Sequence, residues 1–108
     1  MHKRKNKIDI KNMIINTLCA EMQIIGHDVE LGRCAPYYFW VRSVNTHKYQ
    51  FLVSWYDDIL RVQERVDSMF CECKSTTYVS RFEVNPADPD AITRFFEFFR
   101  GLNANTIH

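Results

Sequence analysis

The stretch Tyr37–Asp58, YYFWVRSVNTHKYQFLVSWYDD, sets two aromatic-rich runs on either side of one polar turn. Tyr37–Val44 and Tyr49–Tyr56 are rich in aromatic and β-branched residues, so both read as strands. The turn NTHK between them joins the two as a hairpin. Register then decides what the rings do, because a one-residue slip moves every side chain to the other face. A loop with an odd number of residues places Tyr37, Phe39 and Val41 with Tyr49, Phe51, Val53 and Trp55. It leaves Tyr38, Trp40, Arg42, Gln50, Leu52 and Tyr56 opposite. A four-residue loop instead sets Tyr38, Trp40 and Arg42 with Phe51, Val53 and Trp55, which buries an arginine. The first register is the expectation: most rings form the core, and a minority face outward.

Upstream, Ile10, Ile14, Leu18 with Cys19, Met22 and Ile25 recur at helical spacing. They predict a helix over 8–25, with Asp9 as its cap and Gly26 at the C′ position. Val29 and Leu31 alternate with Glu30 and Gly32, which predicts a short strand ending near Pro36.

Downstream, in DDILRVQERVDSMF (57–70), Ile59, Val62, Val66 and Met69 or Phe70 fall at helical spacing. The stretch reads as a helix capped by Asp57 or Asp58. A strand is expected over 76–84, with Tyr78, Phe82 and Val84 on one side. After the loop NPADPD comes a final helix with Asp88 as N-cap, Pro89 in its first turn and Gly101 as its stop. Its apolar stripe is Ile92, Phe95, Phe96, Phe99 and Leu102, and Phe98 lies partly off it beside Arg94 and Glu97.

The expected order is therefore α-β-β-β-α-β-α: a small single α+β domain over 8–102, mainly an antiparallel sheet with helices packed on one face. A basic flexible tail, 1–7, precedes it and a loose C-terminal tail, 103–108, follows. A chain of 108 residues with 46% hydrophobic and 25% charged residues and only three Gly and three Pro has the composition of one folded domain.

Net charge is +1, so no overall field steers the chain to nucleic acid. The basic residues Lys3, Arg4, Lys5 and Lys7 are nevertheless concentrated at the start, where they form a solvated tail or could touch phosphates. No apolar run reaches the roughly 20 residues that span a bilayer. Asp9, Lys11, Asn12 and Asn16 interrupt any secretory h-region. A cytoplasmic protein with no membrane contact is expected, and its four cysteines should be reduced thiols.

Several residue groups suggest chemistry, and each has a plainer reading. Cys71 and Cys73, with His27, Cys34 and His47 elsewhere, supply one close pair of thiols, whereas zinc asks for about four convergent ligands. Asp57 and Asp58 with Glu72 and Lys74 resemble the acids and lysine of a metal-dependent nuclease, a short pattern that ordinary surface charge also produces. His47 in the turn has no neighbouring acid, serine or cysteine to form a relay. No phosphate-binding glycine motif or nucleophile elbow is present. The expectation is no catalytic residue, no metal and no cofactor.

What remains is surface. Tyr38, Trp40, Arg42, Tyr56, Arg94 and Phe98 have the composition enriched at interface hot spots. They point to a non-enzymatic protein that binds a larger protein partner, as an inhibitor, immunity-type, chaperone-type or phage-type accessory factor of a bacterial or viral cytosol. A homodimer could cover the excess apolar surface. The alternative is a single-stranded nucleic-acid-binding module, using the aromatic sheet for stacking with Arg42, Lys48 and the basic tail. A metal-dependent nuclease is the second alternative.

Overall fold

The structure, a computed structural model, describes residues 7–70 and 73–106, leaving aside the side chains at 68–70, 73 and 102–106. Helix α1 (Lys7–Ile24) leads into five strands: β1 (Val29–Gly32), β2 (Tyr38–Arg42), β3 (Tyr49–Tyr56), β4 (Ile59–Phe70) and β5 (Cys73–Val84). Helix α2 (Ala91–Thr106) closes the domain. The strands form one open antiparallel sheet in the order β1-β2-β3-β4-β5, so every strand pairs with its sequence neighbour. The α+β class, the antiparallel sheet and the helices on one face agree with the sequence reading.

The segment 59–70 is the main correction: it is a strand and not a helix. Its apolar residues satisfy both periods, since Val62 and Val66 stand four apart while Leu60 and Val62 alternate. Asp57 and Asp58 settle the matter as a two-residue turn, with Asp57 at φ 53° and Tyr56 paired to Ile59. Such a turn sends the chain straight back along β3. Leu60 then lies opposite Trp55 and Val62 opposite Val53, and both are fully buried. β5 pairs with β4 from Val84 to Cys73, so this strand begins earlier than its expected start at residue 76.

The core lies between the sheet and the two helices. Phe39, Val41, Phe51, Val53, Leu60, Val62 and Val84 face Ile15, Leu18 and Met22 of α1 and Phe95 and Phe99 of α2. The rings are packed edge to face, as in Phe39–Phe95 at 6.5 Å and Phe51–Phe99 at 5.7 Å, the arrangement that ring quadrupoles favour.

The β2–β3 register is the expected one for Phe39, Val41, Phe51 and Val53. Tyr49 departs from it: the register shifts after Val41, Arg42 pairs with Tyr49, and Tyr49 joins the Trp40 face.

Helix ends show local chemistry at work. Gly26, at φ 100°, ends α1; its N–H donates to the Gln23 carbonyl, and the His27 N–H donates to that of Met22. Both bonds belong to a left-handed cap that consumes carbonyls the helix would otherwise leave open. Asp9 lies inside the first turn and complements the positive end of the helix dipole there, so it is not the cap itself. Asp88 and Pro89 lie in the turn before α2, which begins at Ala91 and not at Pro89; there Asp88 accepts the Asp90 N–H, and Arg94 bonds the same carboxylate, which holds that group below the usual carboxylate range. Gly101 does not stop α2, which continues to Thr106. Among the described residues no helix is long and apolar enough to cross a membrane.

Two measurements follow from this packing. Leu60→Ala should cost about 2–5 kcal/mol in urea unfolding, and Ile59→Ala clearly less; a helix over 59–70 would put Ile59 on its buried stripe instead. His27 is buried against the edge of Phe99, and burial lowers its pKa from 6.5. The unfolded chain therefore takes up the proton first as pH falls, and stability drops on acidification from about pH 6.5 towards the lower folded value. In His27→Gln that part of the pH dependence should vanish from thermal melts.

Candidate functional site: the uncovered sheet face

Alternation along the strands sends a second set of side chains away from the helices: Tyr38, Trp40 and Arg42 on β2, Tyr49 and Leu52 on β3, Arg61 and Arg65 on β4, and Tyr78 on β5. Neither helix covers this face. Its aromatic residues meet one another. Trp40 stacks on Tyr49 at 5.0 Å and 23°, and Trp40 also reaches Tyr78 at 5.8 Å. In a flat sheet, strands β2 and β5 would lie about 14 Å apart, at roughly 4.8 Å per strand. The two rings lean towards each other over the strands between them and close that gap, so the face is a trough lined by rings.

The trough has a mixed wall. Tyr38, Trp40, Tyr49 and Leu52 are half-buried within it, whereas Tyr56 and Tyr78 are exposed on its rim. Tyr38 lies flat over Gly32, its partner across the β1–β2 pair. A Cβ at residue 32 would fall 2.3 Å from the tyrosine Cζ. Glycine is what lets that ring lie down on the strand.

Every arginine of the face has an acidic partner. Arg42 bridges Asp28 at 2.9 Å and Glu30 at 3.2 Å, and its guanidinium sits 4.9 Å from the Tyr49 ring centre. Tyr49 donates its hydroxyl hydrogen to Glu30. Arg61 lies 3.9 Å from the centre of the Tyr56 ring and pairs with Glu83 at 3.7 Å. Arg65 bonds Asp67 at 3.0 Å. Together with the Thr76 hydroxyl, which also donates to it, Arg65 holds the Asp67 carboxyl low. At that end a polar cleft of about 350 Å³ opens between Ser43, Thr46, Lys48 and Tyr49 on one side and Arg65 and Asp67 on the other. Arg42, Arg61, Arg65 and Lys48 are thus matched by Asp28, Glu30, Asp67 and Glu83, and the face carries little net charge.

Of the residues singled out in the sequence, the structure gathers Tyr38, Trp40, Arg42 and Tyr56 on this one face. Phe98 and Arg94 are elsewhere. Phe98 stacks on Phe82 at 5.6 Å and meets Phe51 edge-on, so it belongs to the rim of the core, while Arg94 is tied to Asp88 beside α2. Tyr49, Arg61, Arg65 and Tyr78 were missed. The β-bulge that turns Tyr49 over has no signal in the sequence, whereas a strand over 59–70 would have put Arg61 and Arg65 on the face by alternation alone.

The other groups stay apart. Asp57 and Asp58 form the β3–β4 turn and hold Lys11 and Lys7, with Lys11 Nζ 3.4 Å and Lys7 Nζ 3.8 Å from Asp58. Glu72 and Cys71 lie outside the described residues, as do Lys3, Arg4 and Lys5. His27 is buried, His47 is exposed at φ 58° in the β2–β3 turn, and Cys19 and Cys34 are free thiols at separate places. Among the described residues, no cluster of three or more His, Cys, Asp or Glu could hold a metal ion.

Removing the Tyr49 ring should unstack Trp40 at modest cost. Tyr49→Ala should destabilise the fold by about 0.5–1.5 kcal/mol beyond the loss of buried area and shift the tryptophan fluorescence to the red. An unchanged spectrum would mean that the stack does not persist in solution.

No protein-family model, curated protein or solved structure matches this chain.

Proposed function

We propose that this chain is a non-enzymatic cytosolic interaction protein that binds a larger protein partner in the trough of its uncovered sheet face. One observation carries the reading: aromatic rings and arginines share a face that the domain's own helices leave open. Rings of this kind offer large contact area at little cost in side-chain entropy. Guanidinium groups already held by carboxylates lose little further freedom on binding. Tyr38, Trp40 and Tyr49 form the floor, Tyr56 and Tyr78 the rim, and Arg42 the polar anchor.

The balance of charge favours a protein over a nucleic acid as the occupant. A single strand held by stacking also needs cations to follow its phosphates, and such binding weakens steeply with salt. Here the arginines of the face are spent on Asp28, Glu30, Asp67 and Glu83. A protein ridge of apolar and amide groups asks for no such surplus.

The test is affinity capture from native lysate with and without nuclease, using the wild-type chain and Trp40→Ala. A stoichiometric protein that survives nuclease and is lost with Trp40→Ala is the expected result. A buried tryptophan anchor is worth about 2 kcal/mol or more, so at least tenfold in affinity should go with it. Circular dichroism should show the variant still folded. Capture that depends on intact nucleic acid would replace this reading with the single-strand one.

A further inference from the structure

The outer side of α1 carries an apolar seam that the core does not use. Ile15, Leu18, Cys19 and Met22 are buried against the sheet. At about 100° per residue, the opposite side of the helix belongs to Ile10, Met13, Thr17, Ala20 and Ile24. These positions alternate in steps of three and four, the spacing by which two helices pair along a seam. All five are exposed, with Ile10 at 41%, Met13 at 47% and Ile24 at 82%. A helix lying on the surface of a domain ordinarily turns charged residues outward. This one turns isoleucine and methionine.

The apolar surface widens along one flank. Two shallow cavities, of about 220 and 400 Å³, run beside Ile10, Ile14 and Thr17 and are closed on the far side by Pro86 and, in the larger, Ile92. An added helix on the seam would press against this flank as well.

Charge selects the occupant and its direction. Lys7 and Glu21 lie on the same edge of the seam, one near each end of α1, and both are exposed. Two copies of α1 laid antiparallel bring Lys7 of each towards Glu21 of the other. In that register Ile10 meets Ala20 and Met13 meets Thr17, large against small, so the helices can approach closely. A parallel pair would hold like charges at the same level, Lys7 with Lys7 and Glu21 with Glu21. Lys7 reaches Asp58 at 3.8 Å, largely in solvent, a contact it could exchange at little cost.

We propose that α1 pairs antiparallel with α1 of a second copy of this chain along Ile10, Met13, Thr17, Ala20 and Ile24, making the protein a homodimer. The seam lies on the outer side of α1, which itself covers the core face of the sheet, so the dimer leaves both troughs open. Its failure would not touch the reading of that face.

Sedimentation across the micromolar range tests the dimer. The wild-type chain should approach twice its 12.9 kDa, and Met13→Glu, at an exposed position, should sediment as a folded monomer. Glu21→Lys should weaken the dimer at least tenfold at low salt, and adding Lys7→Glu in the same chain should restore it. A wild-type monomer at every concentration would overturn the proposal, as would a dimer indifferent to Met13→Glu. A Glu21→Lys defect that Lys7→Glu does not repair would overturn the antiparallel pairing.

Discussion

The two-residue turn at Asp57 and Asp58 is the constraint on which the rest of the sheet depends. It brings Ile59 directly opposite Tyr56, and the ladder then sets Leu60 under Trp55 and Val62 under Val53. With a side-chain period of two, that single choice commits all of β4: Leu60 and Val62 to the core, Arg61 and Arg65 to the other side. β5 follows from β4 through a second register, with Val84 opposite Leu60 and Phe82 opposite Val62. A positive φ at Asp57 is the local condition, and aspartate is one of the few side chains that meets it readily.

From that register the division of labour between the two faces is fixed. The inner face buries Phe39, Phe51, Val53, Leu60 and Val62 under α1 and α2, where removal from water supplies most of the driving force for folding. The outer face is left with what alternation delivers, a set of rings and paired arginines. Trp40 reaches Tyr78 across two intervening strands, so the rings form a floor and not a row. The ion pairs on the half-exposed face contribute little stability individually. Their effect is to hold Arg42, Arg61 and Arg65 in place and to neutralise them.

Much of this was legible in the residues. The aromatic hairpin, the burial of Phe39, Val41, Phe51 and Val53 and the glycine cap at Gly26 all follow from alternation and turn chemistry. So does the grouping of Tyr38, Trp40, Arg42 and Tyr56. The strand over 59–70 was not legible, because Ile59, Val62 and Val66 suit a helix as well as Leu60 and Val62 suit a strand, and only the partners Val53 and Val84 decide between them. Tyr49 changes face at a bulge that depends on how the 43–48 turn closes, with Ser43 accepting the His47 N–H and donating its own to Lys48. Phe98 sits at the edge of the stripe on the helix wheel, but the way α2 lies on the sheet brings it against Phe51 and Phe82.

One face of this sheet is sealed by two helices while the other stands open as a trough of rings. Hydroxyl-radical footprinting read by mass spectrometry tests it directly. Tyr56 and Tyr78 should be strongly modified, Trp40 and Tyr38 measurably so, and Phe39, Phe95 and Phe99 almost completely protected. Protection of Trp40 and Tyr78 equal to that of Phe39, or ready modification of Phe95, would contradict it.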